Sequence, residues 1–215
     1  MDFKKNNLEI KHKKLIFSYR VLENLIWRFL ELIIAFFGLF LLIVLLPFLA
    51  IAIRLDSPGP IFYRQWRVGY KSRPFLIWKL RTMYTNSETN NQFTWTMPDD
   101  PRVTRVGRWL RRHRLDELPQ VINVLKGEMS LVGPRPETVE TEKELRNYIP
   151  NHEQRYEVKP GIFSLSMFQV GYVDTLDKAR ARLQSDLLYI SQKSLRTDLS
   201  TLIRGLIESL KGHSH

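Results

Sequence analysis

The segment Trp109-Leu-Arg-Arg-His-Arg-Leu-Asp-Glu-Leu-Pro-Gln-Val-Ile-Asn123 places two acids, Asp116 and Glu117, directly after a run of arginines. Pro119 falls in what would be the first turn of a helix, where a missing N–H costs little, and Gly127 offers a stop. Such a pair suits chemistry on phosphate, because arginines and a helix N-terminus favour anions. It is also compatible with a plain role in complementing the helix dipole beside a solvated basic face.

The composition is strongly basic. Among 215 residues, 33 Lys and Arg stand against 22 Asp and Glu, for a formal net charge of +11. A chain of this kind favours anionic partners: nucleic acid, acidic lipid or a phosphorylated substrate. The absence of cysteine excludes a disulfide framework, a thiolate metal site and a cysteine nucleophile.

A long apolar run near the N-terminus predicts a membrane segment. Residues 32–53 carry no charge over 22 positions, and a helix of that length spans about 33 Å, close to the hydrocarbon thickness of a bilayer. Pro47 lies inside the run, and Lys and Arg flank both ends. A re-entrant helix that bends at Pro47 places both basic flanks on the cytoplasmic face, as the positive-inside rule favours. A spanning helix with a tolerated proline is the alternative.

The remaining sequence predicts an α+β body that is mostly helical with a small β-hairpin. Helices with an apolar stripe beside a basic face can lie in the membrane interface, although such a stripe also suits simple core packing. Two parts are expected: the basic segment with the membrane helix at 1–56, and a body at 57–215. Strands are predicted at 61–68 and 75–80, and helices at 137–148, 177–188 and 198–210. The last helix is expected to turn six apolar residues inward: Leu199, Leu202, Ile203, Leu206, Ile207 and Leu210.

Further cations lie in patterns that suit phosphate binding. Lys79 and Arg81 fall on one side of an extended chain, since strand side chains alternate; both can equally face solvent. In Gly133-Pro-Arg-Pro136, prolines on both sides fix the backbone of Arg135, so that its guanidinium is held at low entropic cost.

Three motifs resemble, in order and spacing, the bacterial sugar transferases, which are monotopic polyprenyl-phosphate phosphoglycosyl transferases. They are Lys79-Leu-Arg-Thr-Met83, Leu115-Asp-Glu-Leu-Pro-Gln120 followed by Asn123-Val-Leu-Lys-Gly127, and Met129-Ser-Leu-Val-Gly-Pro-Arg-Pro136. With the N-terminal apolar segment, the resemblance covers residues 24–206. The length resembles the minimal form of the family.

The resemblance implies a reaction. Such enzymes move a sugar phosphate from a UDP-sugar to undecaprenyl phosphate, release UMP and require Mg²⁺. Asp116 would be the nucleophile, forming a covalent phospho-sugar aspartate, and a ligand of the metal. Glu117 would assist as a proton acceptor or by positioning metal and phosphate. Four cations match family positions that bind phosphate or substrate: Arg111, Arg135, Lys79 and Arg81.

The resemblance also implies a setting. The enzyme would lie in the bacterial cytoplasmic (inner) membrane, with Pro47 as the bend, lipid as a partner and the catalytic body on the cytoplasmic face. It would perform the first membrane step in making an exopolysaccharide, O-antigen, capsule or other glycoconjugate. Downstream glycosyltransferases and a second copy of the chain are further candidate partners, whereas nucleic acid is not expected.

Three positions depart from the common family pattern. Arg114 stands where Ser or Thr is frequent, Ser72 where Gly is found, and Phe163-Ser164 where the family has Thr-Gly, so the identity of the sugar is left open. Two rival functions also remain. A membrane-tethered nucleic-acid binder would use Arg102 to Arg114, but few stacking aromatics interleave there and acids follow at once. The other rival is a catalytically idle scaffold of the same fold.

Overall fold

The computed structural model describes residues 2–85 and 100–212, with side chains from residue 21 onward. The described chain is mostly helical with a small amount of β-sheet, as the sequence predicted. The helices are α1 (Asp2–Asp56), α2 (Arg105–Arg112), α3 (Val121–Leu125), α4 (Val139–Tyr148), α5 (Leu165–Gln169), α6 (Leu176–Ser191) and α7 (Leu195–Lys211); the strands are β1 (Phe62–Val68), β2 (Pro74–Leu80), β3 (Ser130–Val132) and β4 (Gly161–Phe163).

One face of α1 packs against the body from Trp27 to Ile53. Its buried positions lie four or seven residues apart, which is the spacing of one side of a helix. The opposite side exposes large apolar side chains from Val21 to Leu55. The most apolar 18-residue window within Val21–Asp56 has a mean hydropathy of 3.1, and in the described chain α1 alone is long and apolar enough to cross a membrane. The buried positions are Trp27, Glu31, Ala35, Leu42, Leu49 and Ile53.

The helical backbone of α1 runs through Pro47 to Asp56. The proline therefore does not divide the segment into two separate helices, as the expected break would have done. A proline inside a helix removes one hydrogen bond and favours a bend without necessarily ending the helix. The return of α1 to the same membrane face stays a prediction.

The predicted hairpin is present. Strands β1 and β2 pair antiparallel, with Phe62 opposite Leu80 and Val68 opposite Pro74. The connecting turn places Ser72 at a φ of 57°, in the left-handed region that favours glycine. Ser72, which stands where the family has glycine, therefore adopts a strained backbone conformation.

A parallel pair of strands, β3 and β4, was not predicted. Ser130 pairs with Gly161 and Val132 with Phe163. The Phe163 side chain is buried in the main hydrophobic cluster, and its ring lies so close to Gly205 of α7 that an added Cβ there would approach it to 2.2 Å. Phe163 is thus a packing residue of the core.

Helix α7 docks through a narrow face. Thr201, Leu202 and Gly205 are buried, and Gly205 leaves room for the Phe163 ring. The inward orientation predicted for the apolar residues of this helix is correct for Leu202 and wrong for the rest, because close contact through a glycine covers only one side of the helix. The other five are exposed: Leu199, Ile203, Leu206, Ile207 and Leu210.

Candidate active site

The acidic pair lies in a tight turn between two helices. Helix α2 ends at Arg112, and Arg114 then adopts a left-handed conformation with a φ of 54°. A 3-10 turn over Leu115–Gln120 follows and leads directly into α3. Asp116 and Glu117 are both buried in this turn. The sequence predicted the helix start and its end near Gly127, but not the 3-10 geometry at the acids.

Glu117 is the centre of a cationic cluster. Its Oε1 accepts hydrogen bonds from Lys79 Nζ at 2.8 Å and from Arg135 Nη2 at 2.6 Å. Its Oε2 lies 3.4 Å from Arg135 Nη1 and 3.5 Å from Arg114 Nη1. Burial alone would raise the pKa of Glu117, but Arg135, Lys79 and Arg114 outweigh burial and hold the pKa well below its ordinary value. Glu117 is therefore an ionised carboxylate with its acceptor positions occupied.

Asp116 lies near the same cations, but its carboxyl is not hydrogen-bonded to them. It is 7% exposed and has no hydrogen-bond partner in the described part of the chain. Burial raises the pKa of the Asp116 carboxyl and the charge of Glu117 raises it further, while Lys79, Arg111 and Arg135 act in the opposite direction. Two adjacent carboxyls with pKa values pushed apart are suited to two different roles, and Asp116 is the one whose oxygens are free to bind or attack.

The six arginines around the pair divide by position. Arg111 donates from Nε to Thr82 Oγ1 at 2.9 Å and, with Arg114, is close enough to act on the charge of the acids. Arg102 instead forms a bidentate pair with Asp100. The remaining three are exposed on α2: Arg105, Arg108 and Arg112.

Arg81 does not join the cluster. Strand β2 ends at Leu80, and the Arg81 guanidinium donates to the carbonyl oxygens of Pro58 at 2.8 Å, Ile53 at 3.3 Å and Ser57. Carbonyls at the end of a helix lack partners within it, so Arg81 completes the C-terminus of α1. The alternation that placed Lys79 and Arg81 on one face ends with the strand, and Arg81 is not directed at the acids.

Asn123 connects the acid-bearing segment to the hairpin. Its Nδ2 donates to Leu76 O at 2.8 Å and to Glu128 Oε2 at 2.7 Å, while its Oδ1 accepts from Trp78 N at 3.3 Å. The side chain is fully buried. These bonds fix α3 against β2, which carries Lys79, and so help to hold Lys79 at Glu117.

Most of the chain is similar to one family of known proteins. The bacterial sugar transferase family matches residues 22–212. This chain belongs to the bacterial sugar transferase family. The match includes the whole cationic cluster and all of the apolar run in α1.

Several relatives of this sugar transferase have named activities. A UDP-glucose:undecaprenyl-phosphate glucose-1-phosphate transferase of Escherichia coli is 39% identical over 86% of the chain, and one of Caulobacter vibrioides is 41% identical over 86%. A UDP-N-acetylgalactosamine-undecaprenyl-phosphate N-acetylgalactosaminephosphotransferase of Aeromonas hydrophila is 42% identical over 76%. The chain spans 41%, 70% and 38% of the lengths of these relatives, respectively.

A buried ion network behind the sugar transferase site was missed from the sequence. Arg155 donates to Glu137 Oε1 at 2.9 Å, to Asp186 Oδ2 at 2.6 Å and to the carbonyl oxygen of Arg135 at 2.9 Å. Arg182 also donates to Glu137, at 2.8 Å. The network thus fixes the backbone of the turn at Gly133-Pro-Arg-Pro136, called here the proline-flanked turn. Its members are 18 to 45 residues apart, and no local pattern marks them as partners.

Arg67 of β1 is a second cation that was missed. Its guanidinium donates to Pro136 O at 3.0 Å and to Gln65 Oε1 at 2.7 Å. Burial lowers the pKa of Arg67, and the nearby charge of Arg135 lowers it further. Arg67 therefore adds positive charge next to the turn that carries Arg135.

Glu31 of α1 was also missed as a structural residue. Its Oε1 accepts from Leu131 N at 2.8 Å and from the Ser130 hydroxyl, at the start of β3. Arg28 pairs with it at 3.2 Å. A lone acid at the edge of an apolar helix is the signal that could have found it, because such a group is buried only with partners.

We expect Arg155→Ala to lower the free energy of unfolding by about 3–5 kcal/mol, because two buried carboxylates lose their shared partner. Thermal unfolding of the purified protein in detergent measures the loss as a lower Tm. Arg182→Ala is the matched control and should cost less, since Glu137 keeps Arg155. Equal Tm values for the two variants would contradict the central place of Arg155.

Proposed function

We propose that this protein is a phosphoglycosyl transferase that moves a sugar 1-phosphate from a UDP-sugar to undecaprenyl phosphate. In the first step, an Asp116 carboxylate oxygen attacks the phosphorus that bears the sugar; the bond from that phosphorus to the bridging oxygen breaks, and UMP leaves. In the second step, a phosphate oxygen of undecaprenyl phosphate attacks the same phosphorus and displaces Asp116. The products are UMP and a polyprenyl-diphosphate sugar.

The observation that carries the proposal is the difference between the two acids. Glu117 is ionised and occupied by three cations, whereas the Asp116 carboxyl is buried beside the same cations with free oxygens. A nucleophilic carboxylate needs free oxygens and nearby positive charge that screens an anionic substrate. The names of the relatives support the same reaction class with glucose or N-acetylgalactosamine as the sugar.

The charge of the site fits a diphosphate. Five cationic side chains surround the two carboxylates, so positive charge remains after Glu117 and Asp116 are paired. Arginine and lysine bind phosphate oxygens through charge-assisted hydrogen bonds, and arginine can do so with two bonds at once. The five are Lys79, Arg67, Arg111, Arg114 and Arg135.

The donor set also fits Mg²⁺ bound jointly with substrate. The described chain has no group of three or more His, Cys, Asp or Glu residues placed to hold a metal. Mg²⁺ commonly binds through one or two carboxylates with substrate phosphates and water, and Asp116 offers free oxygens for this purpose. When bound, the ion would neutralise charge that develops on the diphosphate.

The packing of α1 supports a membrane location with both ends of the apolar run on one face. Trp27 packs with the cluster around Val124, and Ile53 packs with Leu80 and Leu110. A straight helix from residue 27 to residue 53 is about 39 Å long, which exceeds the hydrocarbon thickness of about 30 Å. A simple span would therefore carry Trp27 away from the body that it contacts. We infer a re-entrant α1 that bends at Pro47, in the bacterial cytoplasmic membrane.

The exposed face of α7 offers a second contact with the bilayer. It presents Leu199, Ile203, Leu206 and Ile207 on one helix that also carries Arg196 and Arg204. An apolar face with flanking cations is typical of helices that lie in the headgroup region. Together, α1 and α7 would hold the catalytic body at the depth of the lipid phosphate, on the cytoplasmic face.

Asp116→Asn is expected to abolish both UMP release and covalent labelling by radioactive UDP-glucose or UDP-N-acetylgalactosamine with Mg²⁺. The loss of a nucleophile should reduce the rate on the order of 10⁴-fold or more. The control is Asp177→Asn, which alters an exposed acid of α6. A labelled adduct that persists in Asp116→Asn would show that another residue is the nucleophile.

The rate should fall in acid with a midpoint above the ordinary aspartate value of 3.8, because burial and Glu117 raise the pKa of Asp116 and only the ionised form attacks. Glu117→Gln removes the neighbouring negative charge, so the pKa of Asp116 falls and the midpoint moves to lower pH. The measurement is the pH profile of kcat/KM at constant Mg²⁺. A midpoint that stays in place or rises in Glu117→Gln is the contrary result.

The topology is tested with single cysteines, since the natural chain has none. Asn24→Cys precedes the apolar run, and Lys178→Cys lies on the body. Neither cysteine should react with a membrane-impermeant maleimide in intact cells, and both should react after lysis. Labelling of Asn24→Cys alone in intact cells would mean that α1 spans the membrane.

A further inference from the structure

Glu117 has more cationic partners than one carboxylate needs. Lys79 and Arg135 donate to Oε1, and Arg135 and Arg114 approach Oε2. The three partners come from β2, from the residue before the 3-10 turn, and from the proline-flanked turn. Because a single negative charge is shared among three positive ones, the group can lose one partner and still leave Glu117 paired.

The three partners differ in exposure. The Arg135 side chain is 31% exposed, against 16% for Lys79 and 14% for Arg114. An anion that arrives from solvent therefore reaches Arg135 first. The backbone of Arg135 is fixed by flanking prolines and by Arg155, which donates to its carbonyl oxygen, so only its guanidinium needs to move.

The position of Arg114 is not explained by local structure. Its φ of 54° lies in a region that arginine does not favour. It precedes the 3-10 turn, where a Ser or Thr could cap the free N–H groups, but its side chain makes no capping bond. It points instead to Glu117, and it also lies close to the charge of Asp116.

We propose that Arg114 is a positioning residue that holds Glu117 when Arg135 leaves it to bind substrate phosphate. After Arg135 departs, Lys79 remains on Oε1 and Arg114 on Oε2, one cation for each oxygen. Without Arg114, Glu117 would keep only Lys79 in a buried site, and the loss of Arg135 to substrate would be disfavoured, since a buried charge needs partners. The inference rests on the proposed function, in that it assigns a diphosphate ligand to this site.

The test is a double-mutant cycle on the binding of UDP with Mg²⁺ to the full chain in detergent, at one pH. Arg135→Gln should weaken binding about tenfold or more, because a hydrogen bond to a charged group is lost. Arg114→Ser should weaken it to a similar degree, because Arg135 is then retained by Glu117. The double variant should bind like Arg135→Gln within about twofold, because Arg114 acts only through Arg135. Arg108→Ser, an exposed arginine of α2, is the control and should bind as the unaltered protein does.

Three results would overturn the proposal. The first is unchanged UDP affinity in Arg114→Ser. The second is a double variant whose loss is the product of the single losses, which would make Arg114 a direct phosphate ligand. The third is no UDP binding by the unaltered protein. Arg114→Lys guards against misfolding of the Ser variant, and should restore most of the affinity at an unchanged Tm.

The proposed function has a separate readout. Release of UMP from UDP-glucose or UDP-N-acetylgalactosamine by the unaltered protein reports on the reaction alone. UMP release with independent effects of Arg114 and Arg135 on UDP binding would reject the role of Arg114 and leave the reaction standing. If Arg114 and Arg135 are coupled in UDP binding but no UMP is released, the proposed reaction is rejected and the role of Arg114 stands.

Discussion

Glu117 brings three distant parts of the chain together. A buried carboxylate is costly unless cations and hydrogen bonds compensate it, and its partners are supplied by β2, by Arg114 and by the proline-flanked turn. The hairpin, the 3-10 turn and the Arg135 segment must therefore all be in place before Glu117 is satisfied. The same requirement concentrates positive charge next to Asp116, whose oxygens are free. The geometry that stabilises this part of the fold is thus also the geometry that suits phosphate chemistry.

A second group of buried charges, centred on Arg155, supports the cationic cluster around Glu117. Arg155 connects Glu137 of the proline-flanked segment, Asp186 of α6 and the carbonyl oxygen of Arg135. Because Arg155 is fully enclosed, its bonds are not weakened by competition with water. The network restrains the backbone from which Arg135 projects and makes no contact with its guanidinium. A fixed backbone suits the proposed exchange of Glu117 for substrate phosphate by the Arg135 guanidinium.

Helix α1, which is long and apolar enough to cross a membrane, is also part of the protein core. Its buried stripe from Trp27 to Ile53 packs on the body, and Glu31 binds the start of β3, only a few residues before Arg135. Arg81 completes its C-terminus from the strand that carries Lys79. The position of α1 and the position of the cationic cluster are therefore linked by direct contacts. Under the proposed function, a lipid phosphate at the membrane surface and a soluble nucleotide sugar would meet at a site whose height is set by this helix.

The sequence alone determined the features that depend on local order. Helical periodicity and the length of the uncharged run indicated α1, alternation indicated the hairpin, and the spacing of Asp116, Glu117 and the proline-flanked Arg135 indicated the site. Lys79 and Arg111 were also predicted, because they lie within recognisable motifs, and the structure places both near the acids. Each of these signals is contained in a few consecutive residues, where backbone geometry and side-chain spacing are directly related.

The tertiary structure decided which charges meet and which apolar faces stay uncovered. The pairing of Lys79 and Arg135 with Glu117, the network of Arg155, the anchoring of β3 by Glu31 and the capping role of Arg81 depend on burial. So does the exposed face of α7, where Gly205 and Phe163 set a narrow contact that periodicity could not indicate. Burial makes unpaired charges costly and close contacts selective, and it arises only when segments far apart in the chain are brought together.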